Sequence, residues 1–312
     1  SLPDIEVSNT GWSFNGLNVR INTKSYRTSY VQTAMSIALR YLQEQKIATT
    51  PFSLVVHSEL DDKKTGAKFG LGSSAAVTTA VVRAIVQLFL GDKATDELIF
   101  KLASIAHVKT QGNGSGADVA ASTYGGVLLY RSFQAEWLLK EMQAAERLSD
   151  LVEKDWTYAA VEQIKFPRDV QLAVGWTGKP ASTKSLVKEI KKMNDQQKVV
   201  YENFLQESKT AVEKIVTGMK QADMALFFQG IEENRQALAK IGEAANVPIE
   251  TEKLRLLSKE AVSFGGVGKL SGAGGGDCGI AFLPASVRRP NLHHAWKKHG
   301  IRPLHLKVYE RE

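Results

Sequence analysis

Residues 272–279 hold five glycines in eight positions, within the run KLSGAGGGDCGIAFL at 269–283. Each glycine costs about 0.5–1 kcal/mol of backbone entropy relative to alanine. A flexible connector tolerates such a run, but a connector does not usually abut an apolar strand with Asp277 as its one charge. The run therefore predicts a loop wrapped close to an anion or a substrate, opening directly into a strand at 279–283.

A second glycine loop, KFGLGSSAAV at 68–77, opens instead into a helix predicted over 73–90, with Gly91 as its stop. Gly70 and Gly72 let backbone approach a ligand, and Ser73 and Ser74 place hydroxyls at the helix start. The first N–H groups of a helix lack internal partners and favour an anion such as phosphate. A turn with a serine cap explains the same residues. The loop lacks the Gly-Lys-Ser/Thr ending of the common nucleotide loop and is not GxGxxG. Ala76, Ala80, Ala84 and Leu88 recur at four-residue spacing and predict a small-residue packing face.

Around these loops the pattern is mixed. Strands are predicted at 51–60, with Phe52, Leu54 and Val56 on one face, at 126–131, at 170–176 and at 301–309. Helices are predicted at 96–110, 182–192, 196–218, 220–243, 249–264 and 291–300. The expected class is α+β, with one lobe over 1–165 and a more helical one over 166–312.

Between the glycine loops lies QGNGSGADVAAS, 111–122. Ser115 and Asp118 stand three apart at a helix start, the spacing of a capping box. The same spacing suits Asp118 as a carboxylate that takes or orients a substrate proton, with Asn113 and Ser115 as neutral donors. Spacing alone accommodates both.

The formal charge of +7, from 40 basic and 33 acidic residues, is spread out, and suits an anionic small-molecule substrate as well as it suits nucleic acid. No stretch combines repeated arginines with aromatics, which argues against nucleic acid. No apolar run is read as reaching the roughly 18 residues of a membrane span. One cysteine, Cys278, forbids an intrachain disulfide and points to a reducing compartment, the cytoplasm. The six histidines show no metal-ligand spacing.

GLGSSAA at 70–76, GNGSGADVAAS at 112–122 and SGAGGGDCGIAF at 271–282 resemble motifs of the GHMP kinases. Together with VGWTGKPAS at 174–182, they are most similar to the wording of the bacterial phosphomevalonate kinases. The resemblance implies a two-lobed fold and transfer of phosphate from ATP, with Mg2+, to (R)-5-phosphomevalonate. It places Gly70, Leu71, Gly72, Ser73 and Ser74 around the ATP phosphates; Ala75 follows as a further cofactor-binding candidate, and Lys68, just before the loop, is either a neutraliser of phosphate or an ordinary surface lysine. Ser73 or Ser74 holds the magnesium–phosphate unit, with the metal assigned to Ser74. Asp118 and Ser73 are the expected catalytic residues, and Asn113, Ser115, Ser182, Gly274 and Gly275 the substrate contacts. Mevalonate kinase, homoserine kinase and a non-catalytic binding protein on the same scaffold are the alternatives, as a monomer or a homodimer. One departure stands out. The family opens on a lysine-bearing strand motif near PGKLYxxGEY that this sequence lacks, so the first lobe is expected to be incomplete. Lys68 and Lys101 are the visible lysines near these motifs.

Overall fold

The computed structural model describes residues 5–6, 12–14, 19–21, 28–60, 66, 68–179, 186, 189–190, 192 and 197–309. Helices and strands are mixed, as the α+β reading expects. Two compact units emerge, one mainly from 1–66 and 72–163, the other from 67–71 and 164–310.

The first unit is built on α1 (Ser29–Glu44), α2 (Ser73–Leu90), α3 (Asp96–Gln111) and α4 (Ala117–Tyr124), followed by α5 (Ala135–Ala144) and α6 (Leu148–Glu153). Short antiparallel pairs join β1 (Ile5–Glu6) to β4 (Val55–Val56) and β2 (Trp12–Phe14) to β3 (Val19–Ile21). β5 (Val127–Arg131) pairs with β6 (Ala160–Ile164). The predicted strand at 51–60 has ladder geometry only at Val55–Val56, yet its burial alternates residue by residue, with Leu54 buried and Val55 half exposed. Helix α1 was not anticipated, although Val31, Ala34, Met35, Ala38 and Leu42 recur at helical spacing and are all buried.

Helix α2 has the predicted bounds and the predicted Gly91 stop, but not the predicted face. Ala80, Ala84 and Leu88 are exposed. The buried face runs through Ala75, Val77, Thr78, Val81, Val82, Ile85 and Val86, against α1 and α3. Branched side chains remove more apolar area from water than alanines do, so they take the core. By length and composition α2 also qualifies as a membrane-crossing helix, contrary to the sequence reading; its branched stripe is core in this fold. Arg83 ties α2 to its neighbours, donating to Asp96 on α3 at 3.0 Å and to the Thr123 carbonyl on α4 at 2.6 Å.

The second unit centres on a four-stranded antiparallel sheet, ordered β10 (Arg302–Leu304), β7 (Val170–Trp176), β9 (Cys278–Pro284), β8 (Val267–Leu270). Its side chains alternate between faces. Ala173, Gly175 and Ala281 line one face, against α9 (Glu252–Ser263) and α10 (Arg289–Lys298). A Cβ on Gly175 would lie 2.8 Å from Leu257 and 3.1 Å from Trp296, so only glycine lets the helices seat this close. Val174, Trp176 and Cys278 face the other way, with Phe69. Helices α7 (Lys198–Gln221) and α8 (Met224–Ala244) pack along each other, and Phe227 of α8 meets Phe282 of β9 with ring centres 5.0 Å apart. The predicted helix at 182–192 falls mostly outside the described residues.

Candidate functional site

The loop at 68–74 passes from the second unit into the first between Leu71 and Gly72. Gly70 and Gly72 both adopt left-handed backbone, with φ of 74° and 72°. Gly72 is itself the cap of α2, with no side-chain cap bond, so neither serine caps the helix as the simpler sequence reading has it. Ser73 and Ser74 are instead the first two helical residues. The first intrahelical bond runs from Ala76 N–H to the Gly72 carbonyl, 2.9 Å. The N–H groups of Ser73, Ser74 and Ala75 precede it, and form a donor cluster at the positive end of the helix dipole.

The Ser115–Asp118 capping box does not form. Gly116, with φ 77°, is the cap of α4. Ser115 is used differently: its Oγ accepts Ala117 N–H at 3.3 Å, and its carbonyl accepts the hydroxyls of Tyr130 at 2.6 Å and Ser132 at 3.0 Å. Asp118 is left exposed in the first turn of α4. Its Cβ, Cγ and Oδ2 would each lie 3.2 Å from a Cβ added at Gly72, so the carboxylate stands beside the head of α2.

Sequence reasoning missed His107. This residue of α3 is buried, and its Nε2 lies 3.1 Å from Ser74 Oγ. Burial pushes the imidazole below its ordinary range, against a smaller opposing pull from the Asp118 charge. Tyr30 packs on the ring at 5.5 Å, and its hydroxyl donates to Gln111, whose amide donates to Asn113. The only local signal was a polar residue inside the buried run LASIAHV.

The last glycine loop is no loose connector. Gly275 N–H donates to the Ile249 carbonyl, Asp277 N–H to Lys179, and the Asp277 carbonyl accepts both the N–H and the hydroxyl of Thr177. Gly274 packs on Ile249, and Gly275 faces Leu186. A Cβ on Gly70 would collide with the Asp277 side chain, so this loop and the front of the 68–74 loop touch within the second unit. Cys278 Sγ bonds the Phe69 carbonyl at 3.2 Å, and burial, with Asp277 adding, pushes its thiol up to about 12. It is a packing residue. Lys269 donates to the Leu270 carbonyl, and burial brings its ammonium down to about 8.

Lys68 is exposed on the loop. Lys101 is committed elsewhere, bonded to the Val152 and Lys154 carbonyls and paired with Glu97. Ser182 lies outside the described residues.

The GHMP kinases N terminal domain family matches residues 29–126, and the GHMP kinases C terminal family matches 215–302. The phosphomevalonate kinase of Streptomyces sp. (strain CL190) is 35% identical over 280 residues, 89% of this chain and 74% of that protein. The chain belongs to the GHMP kinase superfamily. A Streptococcus pneumoniae phosphomevalonate kinase solved in complex with phosphomevalonate and AMPPNP superposes with TM-score 0.79 at 29% identity, over 92% of this chain and 83% of that one. The mevalonate kinase of Pyrococcus horikoshii is 29% identical over 83% of this chain and 67% of its own length.

As a GHMP-kinase-fold phosphotransferase, the chain has in its first unit parts suited to anion binding: a donor-rich helix start behind a left-handed glycine, with a carboxylate beside it. Among the described residues, no three His, Cys, Asp or Glu side chains cluster to cage a metal. The hydroxyls of Ser73 and Ser74 and the Asp118 carboxylate are hard oxygen donors. Such a set fits Mg2+, which keeps waters and binds through one or two protein oxygens plus substrate phosphates.

Proposed function

We propose that this GHMP kinase transfers the γ-phosphoryl group of ATP to (R)-5-phosphomevalonate, giving 5-diphosphomevalonate and ADP in the mevalonate route to isoprenoid precursors. The observation that carries phosphoryl transfer is the junction of left-handed Gly72, the N–H groups of Ser73 to Ala75 that precede the first intrahelical bond, and the Asp118 carboxylate. The acceptor comes from likeness to the Streptomyces and Streptococcus phosphomevalonate kinases.

In this reading the segment Gly70–Ala75 wraps the ATP phosphates, and exposed Lys68 adds positive charge. Ser73 contacts the transferred group, and Ser74 is the metal-side ligand. Asn113, Ser115, Ser182, Gly274 and Gly275 hold the acceptor. An oxygen of the acceptor phosphate attacks the γ-phosphorus, the bond to the β–γ bridging oxygen breaks, and that oxygen leaves on ADP with the electron pair. A phosphate monoester is already largely ionised near neutral pH, its second pKa being about 6. Asp118 therefore acts more by orienting the acceptor than by removing a proton. Magnesium, when bound, supplies neutralisation of phosphate charge. A single buried cysteine agrees with work in a reducing cytoplasm.

The 29% identity to an archaeal mevalonate kinase favours a second reading, with mevalonate as acceptor. Coupled ADP release with phosphomevalonate, mevalonate and homoserine, with product mass, separates them. Phosphomevalonate is expected to lead by about 100-fold or more in kcat/KM, because the other two leave phosphate-binding donors unpaired. Equal turnover of mevalonate overturns the acceptor. No turnover of any acceptor by a protein that binds ATP makes it a non-catalytic nucleotide-binding protein.

A further inference from the structure

We propose that His107 is a positioning residue that separates the roles of the two adjacent serines, holding Ser74 as a lone-pair ligand for the metal–phosphate unit and leaving Ser73 as a hydroxyl donor to phosphate. The inference rests on the kinase reading above.

Ser73 and Ser74 are chemically identical and occupy successive positions at the head of α2. Their surroundings differ. Among the described residues Ser73 Oγ makes no hydrogen bond, whereas Ser74 Oγ meets His107 Nε2 at 3.1 Å. A serine hydroxyl turns among three staggered wells and offers one hydrogen and two lone pairs. A rigid partner selects one well. His107 is such a partner, since only 6% of its surface is exposed and Tyr30 packs on the ring. A Cβ added at Gly114, in the loop that leads into α4, would lie 3.9 Å from His107 Nδ1.

The head of α2 is rich in donors and poor in acceptors, with three N–H groups free of intrahelical bonds. When Nε2 accepts the hydroxyl hydrogen of Ser74, both Oγ lone pairs are left for a cation. This is the tautomer that the proposal requires. Fixing the ligand before binding removes an ordering cost that a free rotor would incur.

The test is a double-mutant cycle between His107→Leu and Ser74→Ala, read by calorimetric Kd for ATP with Mg2+ and with EDTA, beside kcat and a thermal melt. His107→Gln is the rescue variant, because its terminal amide reaches the place of Nε2. His107→Leu is expected to weaken binding of ATP with Mg2+ by about tenfold, binding with EDTA by less than about twofold, and to add nothing in the Ser74→Ala background. His107→Gln should stay within about threefold of the parent protein. If His107→Leu does not fold, His107→Asn, whose amide stops short of Nε2, takes its place in the cycle. Additive losses, equal weakening with and without Mg2+, or a Gln variant as weak as the Leu variant while both melt like the parent overturns the proposal. A parent protein that binds no ATP defeats the kinase reading itself. A parent that binds and turns over, with an additive cycle, defeats only the role of His107.

Discussion

Asp118 stands exposed in the first turn of α4, with no hydrogen bond among the described residues and with Gly72 beside it. Among the described residues its carboxylate holds no hydrogen-bond partner in place, and its charge contributes only at the head of α4 and weakly at His107. Asp118→Asn should therefore melt like the parent while kcat falls by roughly 100-fold or more, the usual scale for a positioned proton-transfer or electrostatic group. Steady-state kinetics beside a melt decide it, and a folded variant with full activity would remove Asp118 from the chemistry. Gly116 makes the opposite case. Its φ of 77° disfavours any side chain, and a Cβ there would collide with Phe133 and lie 2.8 Å from Tyr130 Oη. Gly116→Ala should cost about 2–4 kcal/mol, combining left-handed strain with overpacking. An unchanged denaturant midpoint would show that the aromatic platform yields.

Helix α6 begins without a side-chain cap of its own; its first N–H groups are satisfied by α1. Glu44, the last residue of α1, accepts from Leu148 N–H at 3.1 Å and Ser149 N–H at 2.7 Å, and from Arg40 Nε at 2.8 Å. Burial alone would raise the Glu44 pKa, but these hydrogen bonds together outweigh it and hold the carboxyl below its ordinary value. The sign follows. A carboxyl depressed on folding stabilises the protein above its unfolded pKa, and that stability is lost as pH falls through the depressed value. Glu44→Gln is expected to cost about 1–3 kcal/mol near neutrality, with the gap to the parent closing below about pH 4. Melts from pH 3 to 8 measure it, and a gap that stays constant across the range would mean that the charge is not its source. At this scale α2 was readable in its bounds and misread in its face. Periodicity marks which residues can share a stripe, while the helices packed around α2 choose which stripe is covered.

Across the whole chain the charge is +7, and the proposed acceptor carries a carboxylate and a phosphate. Such a field aids capture of an anion and is screened at a Debye length of about 10 Å in 0.1 M salt. KM for phosphomevalonate should rise several-fold, and kcat change little, between about 0.05 and 0.5 M salt. A flat KM would place recognition wholly in short-range contacts.

Much of the architecture is local in origin and was legible from residues alone. Gly91 ends α2, the apolar run VQLAVGW makes β7, and GIAFL marks β9, because these features act through backbone freedom and β-branched or apolar side chains within a few residues. The three glycine-bearing segments stand out as site candidates for the same reason. Tertiary structure decided what those segments touch. Gly72 rather than a serine caps α2, the Ser115 carbonyl takes the hydroxyls of Tyr130 and Ser132, Lys101 is tied to the end of α6, and Asp277 covers Gly70. His107 reaches Ser74 across 33 residues, and Cys278 reaches Phe69 across 209. A hydrogen bond between residues so far apart leaves no spacing to read, since the distance along the chain is free while the distance in space is set by how the helices and sheet pack.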